Sequence, residues 1–302
     1  MMECKKKTKK PIGKDEIQLK VISYIVVTLF ALVCLFPFLL MISSSFMSEK
    51  EIVSEGYKLI PKEFTASAYQ FLLENPKKII SAYGITIQNV ILGTSIGLLL
   101  MSMAGYVLCR NDFKYRNQVS FFIYFTTLFA GGLIPTYMWM VNGLHLKNSI
   151  WAMVLPGLAS PWSIFLMRNF MKSVPDSLSE SARIDGADDF RIYWQIYLPL
   201  AKPAIATIGL FLALAYWNEW YNAMLYIEDS AKYPLQYFLQ QMVNKADAQM
   251  LVSQGIVVDA AEMPSESIKM ATAVVATGPI ILVYPFIQKY FVQGLTVGAV
   301  KG

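Results

Sequence analysis

Polar and aromatic residues meet at one place inside an otherwise apolar run, where residues 216–222 read YWNEWYN. On one continuous helix, Asn218, Glu219 and Asn222 would stand at i, i+1 and i+4 on a polar face, with Trp217, Trp220 and Tyr221 on its flanks. Carboxylate and amide groups exchange hydrogen bonds with hydroxyls, and aromatic rings pack against the apolar C–H face of a sugar. The same amides and carboxylate also serve as polar glue between neighbouring membrane helices. These residue types suit both roles equally well.

A second polar constellation lies upstream, where residues 171–203 read MKSVPDSLSESARIDGADDFRIYWQIYLPLAKP. Ser177 and Glu180 form the S-x-x-E pattern of a capping box, Pro175 suits a first helical turn, and Gly186 suits a stop. The spacing predicts a helix of two or three turns ending at Gly186, with Glu180 near its start. Asp188 and Asp189 can cap a second helix carrying Phe190, Tyr193, Trp194 and Tyr197, until Pro199 and Pro203 interrupt it.

Bond-making chemistry has no visible residues. The sequence lacks H-E-x-x-H and the G-x-x-x-x-G-K-[ST] phosphate loop, so the chain is not expected to bind ATP in the P-loop manner. Its one histidine, His145, has no Cys, Asp or Glu at ligand spacing and reads as a surface residue. The three cysteines, Cys4, Cys34 and Cys109, form no disulfide or metal framework. No catalytic residue, metal site or bound cofactor is expected in this chain.

The elements that must position these groups follow from charge spacing. The 302 residues are 55% hydrophobic and 16% charged, against roughly a quarter charged in an ordinary globular domain. Charge is absent from 21–48, 79–109, 117–144, 148–167, 203–218 and 270–288. A helix needs about 20 apolar residues to cross a bilayer, so these intervals predict an all-α integral membrane protein with six transmembrane helices. The approximate spans are 21–45, 83–109, 117–141, 148–168, 203–227 and 270–288. The fifth contains Glu219, which must face protein or water rather than lipid. The first span follows KKKTKK but is too long for a cleaved signal.

Orientation follows from the bases. With a basic N-terminal tail (1–20) inside, 17 lysines and arginines fall on the inner side and nine on the outer, and all five arginines are inner. The positive-inside rule therefore puts both termini, the loop 168–202 and the tail 289–302 in the cytoplasm. Glu219 lies 17 residues beyond Lys202, about 25 Å of helical rise, in the outer half of the membrane. In the outer loop 228–269, Leu235, Phe238, Leu239 and Met242 recur at helical spacing and predict an externally packed helix. The net charge of +5 is explained by orientation, and nucleic acid is set aside as a partner.

The string at 180–203, ESARIDGADDFRIYWQIYLPLAKP, resembles the EAA loop of bacterial ABC importer permeases, and its place between the fourth and fifth spans fits. The tail QKYFVQGLTVGAVKG (288–302) is similar to that of carbohydrate permeases of the maltose-permease class. FAGGLIPTY (129–137) and MRNF (167–170) look most like the subgroup of polysaccharide-fragment and lipoprotein-like permeases. The resemblance implies a short cytoplasmic coupling helix contacting the ATPase through Glu180, Ser181, Ala182, Asp185, Gly186 and Ala187. Ser181 stands where the family usually has alanine, a nearly equal size. It further implies an ATPase contact in the C-terminal tail at Gly294, Leu295, Thr296 and Gly298. The partners implied are a second homologous permease, an ABC ATPase dimer using ATP and Mg, and an extracellular solute-binding protein. Residues 217–222 would then lie on the pathway of a carbohydrate, with Trp217, Asn218, Glu219, Trp220 and Asn222 as candidate contacts. The alternative is a secondary transporter of a small polar solute, but ion coupling calls for ionisable residues near the midplane, and only Glu219 lies within a span.

Overall fold

The computed structural model of the protein describes residues 14–74, 76–253 and 266–281, which are helical with no strand among them. α1 (Lys14–Ser44) is an apolar helix exposed along nearly its whole length, for example at Phe30 (70%). Such a surface suits lipid or another membrane chain rather than water. Short α2 (Glu49–Glu55) and α3 (Ser67–Leu72) follow. The buried Glu49 carboxylate accepts hydrogen bonds from the Glu266 and Ser267 backbone N–H groups, and thereby caps the start of α15 (266–281).

α4 (Pro76–Cys109) is the axis of the molecule. Its 34 residues rise about 51 Å, enough to cross a bilayer and project beyond it. Glycines make the close contacts. A Cβ on Gly93 would lie 2.2 Å from the Tyr216 ring, and one on Gly105 would lie 2.8 Å from the Met167 side chain. Gly97 packs against Leu212 of α12 (Lys202–Trp217). Small residues in this register bring helix backbones together inside a membrane, where no hydrophobic effect drives association. The Tyr216 hydroxyl, buried between Gly93 and Gly157, donates to the Val154 carbonyl at 2.8 Å, which removes the cost of an unpaired polar group in the core.

The third, fourth and fifth predicted spans are interrupted. α5 (Arg116–Leu128) and α6 (Leu133–Met138), which runs into a π turn at Trp139–Gly143, meet at 113°. Gly132 (φ +87°) makes that corner possible, and Pro135 enters the first turn beyond it. The segment 148–168 becomes α7 (Trp151–Val154), a 3₁₀ turn at Leu155–Gly157, and α8 (Pro161–Met171), which begins at a proline capped by Ser160. Pro156 and Pro161 remove the N–H groups that a continuous helix would use. By length and composition, two helices can cross a membrane unbroken, or up to four spans exist if each bent pair counts as one. The second half of the predicted span 270–288, and the tail residues Gly294, Leu295, Thr296 and Gly298, lie outside the described residues.

The core binds both ends of α4. Near Cys109, Met101, Tyr106, Met167, Tyr193, Tyr197 and Ile208 pack together. Near Pro76, Leu72, Ile79, Ala82, Ile268 and Ala271 close around the predicted apolar face of α14 (Leu235–Ser253). Leu235, Phe238 and Leu239 are buried there and Met242 packs on the same cluster, as helical spacing requires.

Candidate functional site

The chain breaks its helices at two polar places, one at each end of α4. At the Cys109 end, α9 (Asp176–Ile184) is followed by α10 (Asp189–Ile192), a π turn (Tyr193–Tyr197) and α11 (Leu198–Leu200). α9 starts two residues earlier than the S-x-x-E pattern predicts. Pro175 takes the cap position in extended geometry with its φ fixed, and Asp176 brings negative charge to the first turn. Ser177 caps nothing, and Glu180 sits in mid-helix rather than at the start.

The end of α9 matches the predicted stop. Gly186 has φ +80°, its N–H donates to the Arg183 carbonyl at 3.0 Å, and the Ala187 N–H donates to the Ala182 carbonyl at 2.9 Å. This pair of bonds is a Schellman closure, which needs a left-handed residue at that point. Asp188 caps α10 by accepting from the Arg191 N–H at 2.9 Å. Pro199 does not interrupt as expected. The π turn before it redirects the hydrogen-bond ladder, with the Leu198 N–H reaching the Tyr193 carbonyl, and the helix runs on to Leu200 before an 80° bend into α12.

Of the predicted aromatic residues, Tyr193 and Tyr197 are buried against Tyr106 of α4, at ring distances of 5.4 and 4.9 Å. Phe190 and Trp194 stack on each other and stay exposed. Charges then tie α9 to the α4–α5 turn. Arg183 pairs with Asp112 at 2.9 Å and with Asp189 at 3.4 Å, and Arg110 pairs with both of the same carboxylates. Asn111 donates to Asp176 at 3.3 Å. Arg110, with Arg183 beside it, holds the Asp112 carboxyl well below the usual carboxylate range. Sequence reading missed this network because its members lie about 70 residues apart along the chain.

What α9 leaves open is as informative. No residue of α9 is buried; Ala182, and Ala187 beyond its end, are half-buried against the core, while Glu180, Ser181, Asp185 and Gly186 are exposed. Leu178 and Ile184 point outward at 43% and 87% exposure. An anchored amphipathic helix with its apolar residues outward is built for a partner surface.

At the other end, the predicted continuous polar face does not form. α12 stops at Trp217, Asn218 is its C-cap, and α13 (Tyr221–Tyr226) begins after Trp220. The Glu219 carboxylate accepts from the Asn222 backbone N–H at 2.7 Å and from its side-chain amide at 2.9 Å. That carboxylate serves the first turn of α13 and brings Asn222 to itself, so Glu219 and Asn222 meet across a break rather than along a face. Trp217 donates to the Ala276 carbonyl at 3.1 Å, and Asn218 accepts from Gln236 of α14 at 3.1 Å. Asn218, Trp220 and Tyr221 are exposed.

The turn before α7 fixes the far end of α13. Asn148 (φ +58°) accepts from the Glu228 and Asp229 N–H groups at 2.7 and 3.1 Å, and its own N–H donates to the Tyr226 carbonyl at 2.9 Å. An asparagine after a charge and before an apolar helix was the available signal for this role. His145 is exposed at the same turn, as read from the sequence.

Comparison with known proteins adds a family to this geometry. Residues 16–297 match the pattern of the family described as binding-protein-dependent transport system inner membrane component. The chain is 42% identical over 280 residues to the polygalacturonan/rhamnogalacturonan transport system permease protein YtcP of Bacillus subtilis (strain 168), covering 91% of this chain and 95% of that one. It is 38% identical to protein LplC of the same organism, covering 89% and 90%. A solved structure of a bacterial ABC transporter involved in import of the acidic polysaccharide alginate contains a similar chain. That match has a TM-score of 0.76 at 30% identity and covers 94% of this chain and all of the other.

Proposed function

The chain belongs to the family of binding-protein-dependent transport system inner membrane components, and on that premise we propose that it is one permease of a bacterial ABC importer for carbohydrate. Oligosaccharides or polysaccharide fragments are the cargo class, because the name of the YtcP relative and that of the alginate transporter both point to polysaccharide. Six spans are inferred: α1, α4, α5 with α6, α7 with α8, α12 with α13, and a last span that starts in α15. Both termini and α9 lie in the cytoplasm, where all five arginines fall, and α14 lies outside.

α9 carries the reading. It is a coupling helix with Leu178 and Ile184 offered to a cleft in the ATPase, while Arg110, Asp112, Arg183 and Asp189 make it move as one body with α4. Glu180, Ser181, Ala182, Asp185, Gly186 and Ala187 form the contact surface. Gly294, Leu295, Thr296 and Gly298 add a second contact from the C-terminal tail. ATP and Mg belong to a separate ATPase dimer; a second permease completes the pathway, and an extracellular solute-binding protein delivers the sugar. The break at 217–222 faces the pathway, with Asn218 and Trp220 open to it and Glu219 holding Asn222 and the start of α13 in place.

Proteoliposomes holding the assembled importer test this. Uptake of oligogalacturonide should require ATP and survive ionophores that collapse ion gradients. Uptake that ionophores abolish and ATP does not drive would replace this reading with a secondary transporter.

A further inference from the structure

Opposite the 218–220 break stands a wall of amides that the sequence motif did not include. Gln236, Gln240 and Asn244 recur at i, i+4 and i+8, so they form one stripe along α14. With Trp220 and Thr272 they line an open cavity of about 380 Å³, within the roughly 300–1,000 Å³ typical of small-molecule sites. Gln236 donates to Asn218 at 3.1 Å, which fixes the distance between the two walls. Gln240 and Asn244 are exposed and make no side-chain hydrogen bond among the described residues.

The chemistry of this cavity is neutral and two-sided. Among the described residues no charged side chain lines it, and both oxygens of nearby Glu219 are already engaged by Asn222. Each free amide can donate and accept at once, which suits the paired hydroxyls of a pyranose ring. Trp220 is 41% exposed and is braced edge-to-face by Tyr221 at 83°, so an aromatic surface stands beside the amides. Apolar residues of α14 between the amides, Leu239 and Val243, supply the rest of the floor.

We propose that this cavity is a carbohydrate subsite at the outer entrance: Trp220 takes the apolar face of one sugar ring, and Gln240 and Asn244 take its hydroxyls. The subsite rests on the carbohydrate-importer reading above. It gives α14 a direct part in accepting the sugar and assigns Gln236 and Asn218 the spacing of the site.

The test uses the complete importer in proteoliposomes, with trigalacturonate and maltotriose as probes, and reads ATP-driven uptake per assembled complex. Trp220→Ala and the double variant Gln240→Ala/Asn244→Ala should each lower uptake about tenfold, the loss of one or two hydrogen-bond-sized contacts. Trp220→Phe, which keeps an aromatic face, should retain most of it. Wild-type uptake of neither probe would overturn the importer reading and the subsite together. Wild-type uptake matched by the alanine variants would overturn the subsite alone. A double variant that fails to assemble would mark Gln240 and Asn244 as packing groups and overturn the subsite as well.

Discussion

The two helix breaks use similar residue types to opposite ends. At α9 the charged groups are spent on anchoring: Arg183, Asp112, Arg110 and Asp189 bind the helix to α4, and its apolar Leu178 and Ile184 are left outward. At 218–220 the one charged group is spent locally, because Glu219 caps α13, and amides and a tryptophan are left open. The contrast teaches that the residue with the strongest chemistry is not the one offered to a partner. In each break the charge fixes a backbone, and weaker groups make the surface.

The largest effect expected from disturbing this comparison is at Gly186. Nothing lies within 4 Å of a Cβ placed there, so a substitution meets no clash and only the φ of +80° opposes it. Gly186→Val should redirect α9 at a cost of about 1–2 kcal/mol and reduce ATP-driven uptake more than tenfold. Gly186→Asn, which tolerates this conformation, should restore much of it. Copurification of the ATPase with each variant reports whether the surface or the fold was lost.

A smaller effect is expected at the anchor. Asp112→Asn removes the carboxylate shared by Arg110 and Arg183, pairs that are partly exposed and worth about 0.2–1 kcal/mol each. ATP hydrolysed per sugar imported should rise about threefold as α9 loosens, and about 0.5 M salt should produce part of the same change in the wild type. The pH dependence has a definite sign. A carboxyl whose folded value is depressed stabilises above its ordinary range and loses that contribution only as pH falls through the lower folded value. The ratio of ATP to sugar in the wild type should therefore be unaffected by Asp112 between pH 5 and 8.

The smallest effect separates two substitutions at Glu219. Glu219→Gln keeps an oxygen for the Asn222 N–H, and uptake per complex should stay within about twofold of wild type. Glu219→Ala removes the cap, costs about 1 kcal/mol, and should lower Tm and let Trp220 shift. If Glu219→Gln instead transports tenfold less with unchanged Tm, the carboxylate contacts sugar itself and the contrast between the two breaks fails.

The legibility of the two regions differs for physical reasons. α9 was readable because its stop depends on local chemistry, a glycine at one dihedral and an aspartate cap, and both signals sit within a few residues. The start was misplaced because Pro175 took the cap position that Ser177 was suited to fill. The 218–220 break was hidden, since apolar length measures whether a segment can cross a membrane and not whether it stays straight. The glycines at 93 and 97 of α4, a G-x-x-x-G spacing, meet Tyr216 and Leu212 just before that break, partners that the spacing alone does not name. The Gly131–Gly132 pair stands at the corner between α5 and α6, where Gly132 takes φ +87°. The ion-pair anchor and the Asn218–Gln236 bond needed the folded chain, because neither has a local pattern.

Ile184 gives the most direct test of α9 as the element that meets the ATPase, since it is 87% exposed. A photo-cross-linking amino acid at position 184, activated in intact cells, should yield a covalent adduct with the ATPase subunit. A cysteine there should resist an impermeant maleimide added from outside. Maleimide labelling from outside, or an assembled and transporting complex in which position 184 never cross-links to the ATPase, would contradict the account.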